Sequence, residues 1–483
     1  MSARKPSEET SENAPALNDF NPYLRGPYRP VNREVSASEL SVTGQIPHDI
    51  SGAYYRNGPN PLNPPDGMHH WFDGDGMIHA VHLDSGQASY RNRYVRSEDH
   101  LAERAGTLAK QGIMYPANGD SHPTYYKDTA NTDVIVHNGE LLALWYVSGQ
   151  PVRMDPHTLD TLRTETFTGK LPKNLSAHSK VDPANGELVF FDYQLFDPYY
   201  SLGVVSADNE LTHFTEIEMP GPRLPHDMAI TENYALLMDL PVVLTDSAIK
   251  ARRWNIHFDP KLNTRFGVIP RNGRGSDIRW FEFDPCYIYH VINAWEDGDE
   301  IVLQACRFLD NGRPLDQRFG PYAGMVDVLA LRAHIYCWRM NLKTGETSEY
   351  QVDDTVSEFP VINLAFTGKA SRYGYLATIP DTSTQVFDGL MKFDFHQSSG
   401  QTWRFPDNCF GSEPAFAPRI NAIKEDDGYL VSIMTNVIDE TSSLVILDAQ
   451  DMAQGPVAKV HLPQRVPLGF HGTWANSAEI AAG

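Results

Sequence analysis

The stretch VHLDSGQASYRNRYV, Val81 to Val95, decides the fold. Aromatic, β-branched and alternating residues flank a polar turn at Asp84-Ser85-Gly86, which is the signal of a β-hairpin. The unit recurs in YCWRMNLKTGETSEYQV, Tyr336 to Val352, with its turn at Lys343-Thr344-Gly345. It recurs in MKFDFHQSSGQTWRF, Met391 to Phe405, with a turn at Ser398-Ser399-Gly400, and in VDPANGELVFF, Val181 to Phe191, with a turn at Asn185-Gly186. Short apolar runs bounded by turn residues read as buried strands: GELLALWY (Gly139 to Tyr146), NYALLMDL (Asn233 to Leu240), DEIVLQACRF (Asp299 to Phe308), GYLVSIM (Gly428 to Met434) and SLVILD (Ser443 to Asp448). Helical patterning is confined to Ala37 to Leu40 and to Ser97 to Lys110, where acids come early and a lysine late. Many short strands without alternating helices argue against a parallel α/β sheet. Hairpins recurring along nearly the whole chain predict an all-β propeller, with four-stranded blades around an axis. The repeat is too degenerate for the blades to be counted from it.

Composition narrows the function. The chain has 483 residues, 41% of them apolar, enough for a large buried core. Its formal net charge is −22. So acidic a surface argues against a nucleic-acid partner, which needs clustered Lys and Arg, and favours a neutral substrate that needs no long-range steering. Cys286, Cys306, Cys337 and Cys409 form no C-x-x-C pair, so neither a disulfide framework nor a thiolate metal site is indicated, and a reducing cytoplasm is the expected location. The start, MSARKPSEETSENAPALNDF, lacks the apolar core of a secretory signal. Residues 1–17 read as a disordered polar tail and 18–483 as a single propeller domain. No apolar run approaches the ~18 residues of a membrane span, so membrane contact is expected to be peripheral at most.

The chain has 18 histidines. The densest group is His69, His70, His79 and His82, but His79 and His82 lie three apart in a strand-like stretch and therefore point to opposite faces. A propeller directs attention elsewhere. Its natural metal site is the axis, supplied by single residues from different blades. His178 in NLSAHSKVDP, His226 in PRLPHDMAIT, His290 in YIYHVINAWEDGDEIVL and His471 in VPLGFHGTW fit that description. Any dispersed histidines would satisfy such spacing, so spacing alone does not single them out.

These four contexts resemble the carotenoid cleavage oxygenase family, which includes apocarotenoid oxygenases, lignostilbene dioxygenases and isoeugenol monooxygenase. The resemblance runs from about Asn21 to Trp474. Its other motifs, in order, are RNGPNP (Arg56 to Pro61), HWFDGDGMIHAV (His70 to Val81), TANT (Thr129 to Thr132), SEFP (Ser357 to Pro360), EPAFAPR (Glu413 to Arg419) and EDDGYLVS (Glu425 to Ser432). The family fold is a seven-bladed β-propeller with a loop-built dome over an axial metal site. The resemblance implies that His178, His226, His290 and His471 bind Fe(2+), and that Glu358 and Glu413 hydrogen-bond the free ring nitrogens of ligand histidines. Imidazole suits Fe(II), and carboxylates behind the ligands orient the rings and offset the buried charge. The implied reaction is iron-dependent dioxygenase chemistry, in which O2 cleaves a C=C bond of an apolar conjugated substrate into two carbonyl products.

One stretch departs from the family pattern. Members normally carry a third such Glu in a motif like LWEGGLP, whereas this chain reads LWYVSGQP, Leu144 to Pro151. Tyr146 or Val147 takes that place, depending on the alignment. Stilbene-cleaving members typically have a Lys just before that Glu, and it too is missing. Three readings compete: an active enzyme with a retuned site, a weaker iron site, or an inactive homologue. The intact ligand set favours activity. Trp71, Phe72, Tyr115, Tyr146 and Val147 are candidates for lining the substrate tunnel, with ordinary core packing as the alternative. GFHGTW and HWFDGDGMIHA stand closer to carotenoid-cleaving members. The segment Ser97 to Tyr115, by contrast, is mostly polar where carotenoid enzymes carry an apolar, membrane-dipping patch. The expected substrate is a carotenoid or apocarotenoid. The alternative is a stilbenoid or phenylpropenoid cleaved to an aromatic aldehyde. A metal-dependent isomerohydrolase and a non-catalytic scaffold are the competing classes.

Overall fold

Seven antiparallel sheets succeed one another around an axis in the computed structural model. The structure describes residues 21–65, 69–108, 126–172, 174–244, 256–308, 316–323 and 332–481, together with Val326 and Leu329. Five blades are built from consecutive segments, at 133–164, 180–217, 229–283, 287–351 and 357–404. The other two blades close the ring by exchanging strands between the chain ends. Gly472–Asn476 pairs with Gly52–Arg56 and becomes the inner strand of the first blade. Val42–Gly44 pairs with Pro456–His461 and becomes the outer strand of the last. Hydrogen bonds between strands from opposite ends of the chain therefore hold the ring shut.

Local turn chemistry explains the hairpins. Met77–Asp84 and Gln87–Tyr94 are joined through Ser85 and Gly86, both at positive φ, as a tight hairpin turn requires. Ala333–Asn341 and Thr347–Gln351 pair as expected, and so do Gly389–Asp394 and Ser399–Arg404, although there the strand already begins at Ser399. Adjacent blades face each other through apolar side chains. Between the first and last blades, Tyr54, Val81 and Tyr90 meet Val431, Ile446 and Val460, all nearly or fully buried. Each such burial contributes roughly 1.5–3 kcal/mol.

Helix is scarcer than expected. Ala37 to Leu40 is not helical: Ser36–Ala37 is an edge strand, paired with Arg91 and Tyr90. A segment that short cannot offset the cost of helix nucleation, and the neighbouring blade offers it a ladder. The segment from Ser97 forms a helix only over Glu98–Arg104, capped by the Ser97 hydroxyl, and Gly106 at φ +70° ends it. Residues 109 and 110 lie outside the described residues, as do the 1–17 tail and Tyr115. All four cysteines are buried and free. Among the described residues no helix is long and apolar enough to cross a membrane. Short 3-10 turns at Pro22–Leu24, Gly26–Tyr28 and Trp71–Asp73 cover the axial site. They pack Tyr23, Tyr28 and Trp71 against Phe359 and Phe470.

Candidate metal centre

Every blade supplies at least one histidine or acid within three residues of the start of its inner strand. Around the ring these include His471, Asp133, His178, His226, His290, Glu358 and Glu413, all buried. Local irregularities turn several of them toward the axis. His178 sits at φ +67°, a conformation costly for a non-glycine residue, and its backbone N–H donates to Asp133 Oδ2 at 3.0 Å. His290 lies where the register of its strand shifts, between Ile288 and Val291. Glu358 lies at a second register shift, beside Phe359 at φ +51°.

The four histidines offer ligand nitrogens that all lie within 4.8 Å of one another. Their ring centroids are 4.4 Å apart for His178–His471, 4.6 Å for His290–His471 and 4.8 Å for His178–His226. Nε2 of His178 and Nε2 of His290 are buried without a hydrogen-bond partner. Leaving such groups unsatisfied costs ~1–3 kcal/mol each, so the cluster is built to be completed by a ligand. Burial, and then the neighbouring histidines, hold His178, His226 and His290 well below the usual histidine range, which keeps them neutral and able to bind metal. His471 differs: burial lowers its pKa, but the carboxylates of Glu413, Asp133 and Glu358 together outweigh burial and raise it.

Two carboxylates stand behind the rings. Glu358 Oε2 lies 2.5 Å from His290 Nδ1, and Glu413 Oε1 lies 3.0 Å from His471 Nδ1. These contacts orient the two rings with Nε2 toward the cluster. Burial pushes the Glu358 carboxyl up to about 8 and raises Glu413 as well. A dication nearby acts in the opposite sense and favours the ionised acids. Among the described residues no carboxylate hydrogen-bonds His226. The Tyr146 ring stands beside it instead, 5.9 Å between centroids. The Tyr146 hydroxyl is buried without a partner. Val147 is half-buried and packs with the cluster of Leu142, Leu175 and Phe190 between two blades.

Above the histidines lies a cavity lined by Trp71, Phe72, Tyr146, Phe308, Phe359 and Phe470 among others, with His226, His290 and His471 at its floor. Trp71, Phe72 and Tyr146 thus border it, and Val147 does not. Sequence reasoning missed Tyr289, Phe308, Leu329, Phe359, Gln385 and Phe470 in the lining. Three of them sit inside motifs already quoted: Tyr289 beside His290, Phe359 in SEFP and Phe470 beside His471. Asp133 and Asp227 were missed too. Asp227, next to His226, accepts from the backbone N–H groups of Met228 and Val291 and so ties the His226 segment to the His290 strand.

The dense histidine group is not part of this centre. His70 caps the Trp71–Asp73 turn, His79 Nδ1 meets the Tyr90 hydroxyl at 2.8 Å, and His82 stacks on His157. His69→Ala and His82→Ala are therefore expected to retain full metal content by elemental analysis. Loss of metal from either would draw that group into the centre.

Residues 28–476 match the family described as retinal pigment epithelial membrane protein. The chain is 35% identical to carotenoid 9,10(9',10')-cleavage dioxygenase 1 of Arabidopsis thaliana, an alignment covering 95% of this chain and 90% of that one. The chain belongs to the carotenoid cleavage oxygenase family. Isoeugenol monooxygenase of Pseudomonas nitroreducens is 32% identical, over 95% of this chain and 98% of that one. Among solved structures, the lignostilbene dioxygenase of Pseudomonas brassicacearum superposes with a TM-score of 0.85 at 29% identity, over 95% of this chain and 99% of that one. An apocarotenoid oxygenase of Synechocystis gives 0.83 at 26%, over 96% and 99%. The carotenoid cleavage oxygenase fold, a seven-bladed propeller, thus extends over nearly the whole chain.

Proposed function

We propose that this protein is a non-heme Fe(II) dioxygenase that uses O2 to cleave a C=C bond of a carotenoid or apocarotenoid into two carbonyl products. The observation that carries this reading is the set of four buried, converging histidines at the floor of an aromatic cavity. Iron, when bound, supplies the binding and activation of O2. His178, His226, His290 and His471 would hold it through imidazole nitrogens, which as ligands bring no negative charge to offset that of the metal. Glu358 and Glu413 hold two of the rings in place and offset that charge from behind. The aromatic walls at Trp71, Phe72, Phe359 and Phe470 keep a conjugated chain flat against the cluster and keep water out. No side chain need act as a nucleophile or general acid.

One observation favours the second reading, a stilbenoid or phenylpropenoid substrate of the lignostilbene, isoeugenol or vinylphenol type. The Tyr146 hydroxyl and Gln385 Oε1 both border the cavity and are buried without partners. They are poised for a hydroxyl-bearing aromatic. The discriminating experiment is O2 uptake by iron-loaded protein with an apocarotenal and with a hydroxystilbene, each with and without added chelator. Chelator-sensitive uptake on the apocarotenal alone supports the first reading. Uptake on the hydroxystilbene alone supports the second, and uptake on neither sinks both.

The Tyr146 position also makes a prediction. With no carboxylate on His226, the site should hold iron less tightly than one with three such acids. Tyr146→Glu places an acid beside His226 and is expected to tighten iron binding by up to ~10-fold in a chelator competition. Val147→Glu directs its acid into interblade packing and is expected to destabilise the fold instead. A Tyr146→Glu variant that folds normally yet binds iron no better would show that the tyrosine is there to shape the cavity.

A further inference from the structure

The histidine cluster separates two cavities of opposite character. His226 borders only the aromatic cavity, His178 borders only a second, larger cavity, and His290 and His471 border both. Residues of all seven inner strands line the second cavity, so it follows the propeller axis. Its lining includes Asp133, Asp182, Asp227, Glu413 and Glu479, of which Asp182 pairs with Arg271 and Asp227 with Lys180, the one ammonium in the lining. The aromatic cavity has one carboxyl in its lining, Glu358.

A hydrated dication cannot easily cross the aromatic side. It would shed water against Trp71, Phe308 and Phe470, with only a few oxygens, such as the Tyr146 hydroxyl, Gln385 Oε1 and the Glu358 carboxyl, to replace it, and charge burial without compensation is heavily penalised. The axial side offers the opposite. A channel lined by carboxylates in low-dielectric walls concentrates cations and raises their arrival rate. At its inner end stands His178, whose Nε2 is buried and unpartnered. Lys180 lies two residues beyond His178, its Nζ 2.7 Å from Asp227 Oδ1, so one positive charge stands beside the passage. Asp227 keeps its two backbone donors, at Met228 and Val291, whether or not Lys180 is present.

We propose that the axial channel is the route by which a divalent cation reaches and leaves the histidine cluster, separate from the aromatic cavity that receives the organic substrate, with Lys180 as the electrostatic barrier along it. This rests on the four-histidine metal reading.

The test is exchange of bound iron for isotopically labelled Fe(II), followed under argon on the iron-loaded protein. Ala207 and Ala365 are exposed and border the channel, so they lie at its mouth. The Ala207→Lys/Ala365→Lys double variant is expected to slow exchange about tenfold at low salt, with the difference shrinking at high salt. Lys180→Met, which removes the barrier charge, is expected to speed exchange. Phe308→Trp, which narrows the aromatic cavity, is expected to leave the rate unchanged. Circular dichroism checks that each variant is folded. Equal rates in all the proteins overturn the proposal, and so does slowing by Phe308→Trp alone, which would assign passage to the substrate cavity. Iron stoichiometry of the wild-type protein, measured in the same samples, tests the four-histidine reading independently of the route.

Discussion

Replacing any one of His178, His226, His290 or His471 by Ala is expected to remove iron or weaken its binding at least a hundredfold. Four imidazoles converge on one point, and nothing else among the described residues lies ready to replace a missing one. Structural four-ligand metal sites bind with roughly 10–16 kcal/mol, so one ligand in four accounts for about 3 kcal/mol, or about two orders of magnitude in affinity. The loss also propagates. Without His290 or His471, the buried carboxyl of Glu358 or Glu413 loses its ring partner. Without His178, the strained backbone at φ +67° holds nothing at the axis. Elemental analysis of the purified variants, with circular dichroism to confirm the propeller, checks this. Full iron occupancy in a folded variant would exclude that histidine from the ligand set.

Glu358→Gln and Glu413→Gln are expected to keep the fold and to lose iron affinity or activity by ~10–100-fold. An amide matches the carboxylate in shape but carries no charge and offers one acceptor oxygen in place of two. Glu413 uses both of its oxygens: Oε1 faces His471 Nδ1, and Oε2 accepts the Gly472 backbone N–H at 2.6 Å. Glu358 Oε2 serves both His290 Nδ1 and the Phe359 N–H. At Glu413 an amide must give up one contact or set its NH2 against a donor, whereas at Glu358 it can keep both contacts through its one oxygen and loses the charge. Chelator competition measures the affinity, and turnover at matched iron content measures the rest. Wild-type values of both in both variants would show that the carboxylates are mere packing.

What could be read from the sequence follows the range of the interactions involved. The hairpins at Val81 to Val95 and Tyr336 to Val352 were readable because their turns are local chemistry. The pairing of Ser36–Ala37 with Tyr90 and Arg91 was not, because its partner lies more than fifty residues away. The blade number came only from family resemblance, since the blades share geometry and not residues. The four histidines stood out by their motifs, whereas Asp133 and Asp227 look like ordinary acids until the strands bring them to the axis. The sequence also left Tyr146 and Val147 as alternatives for one position. Backbone direction separates them: the Tyr146 ring reaches His226, while Val147 turns into the packing between blades.

Mass spectrometry of the products bears most directly on the proposed reaction. Iron-loaded protein is incubated in air with an apocarotenal and, separately, with a hydroxystilbene. The expected result is a pair of carbonyl fragments from one of them, together accounting for the substrate plus both atoms of O2, and absent under argon. An isomerised or hydrated product formed without O2, or intact substrate from both reactions at full iron occupancy, would contradict C=C cleavage by this protein.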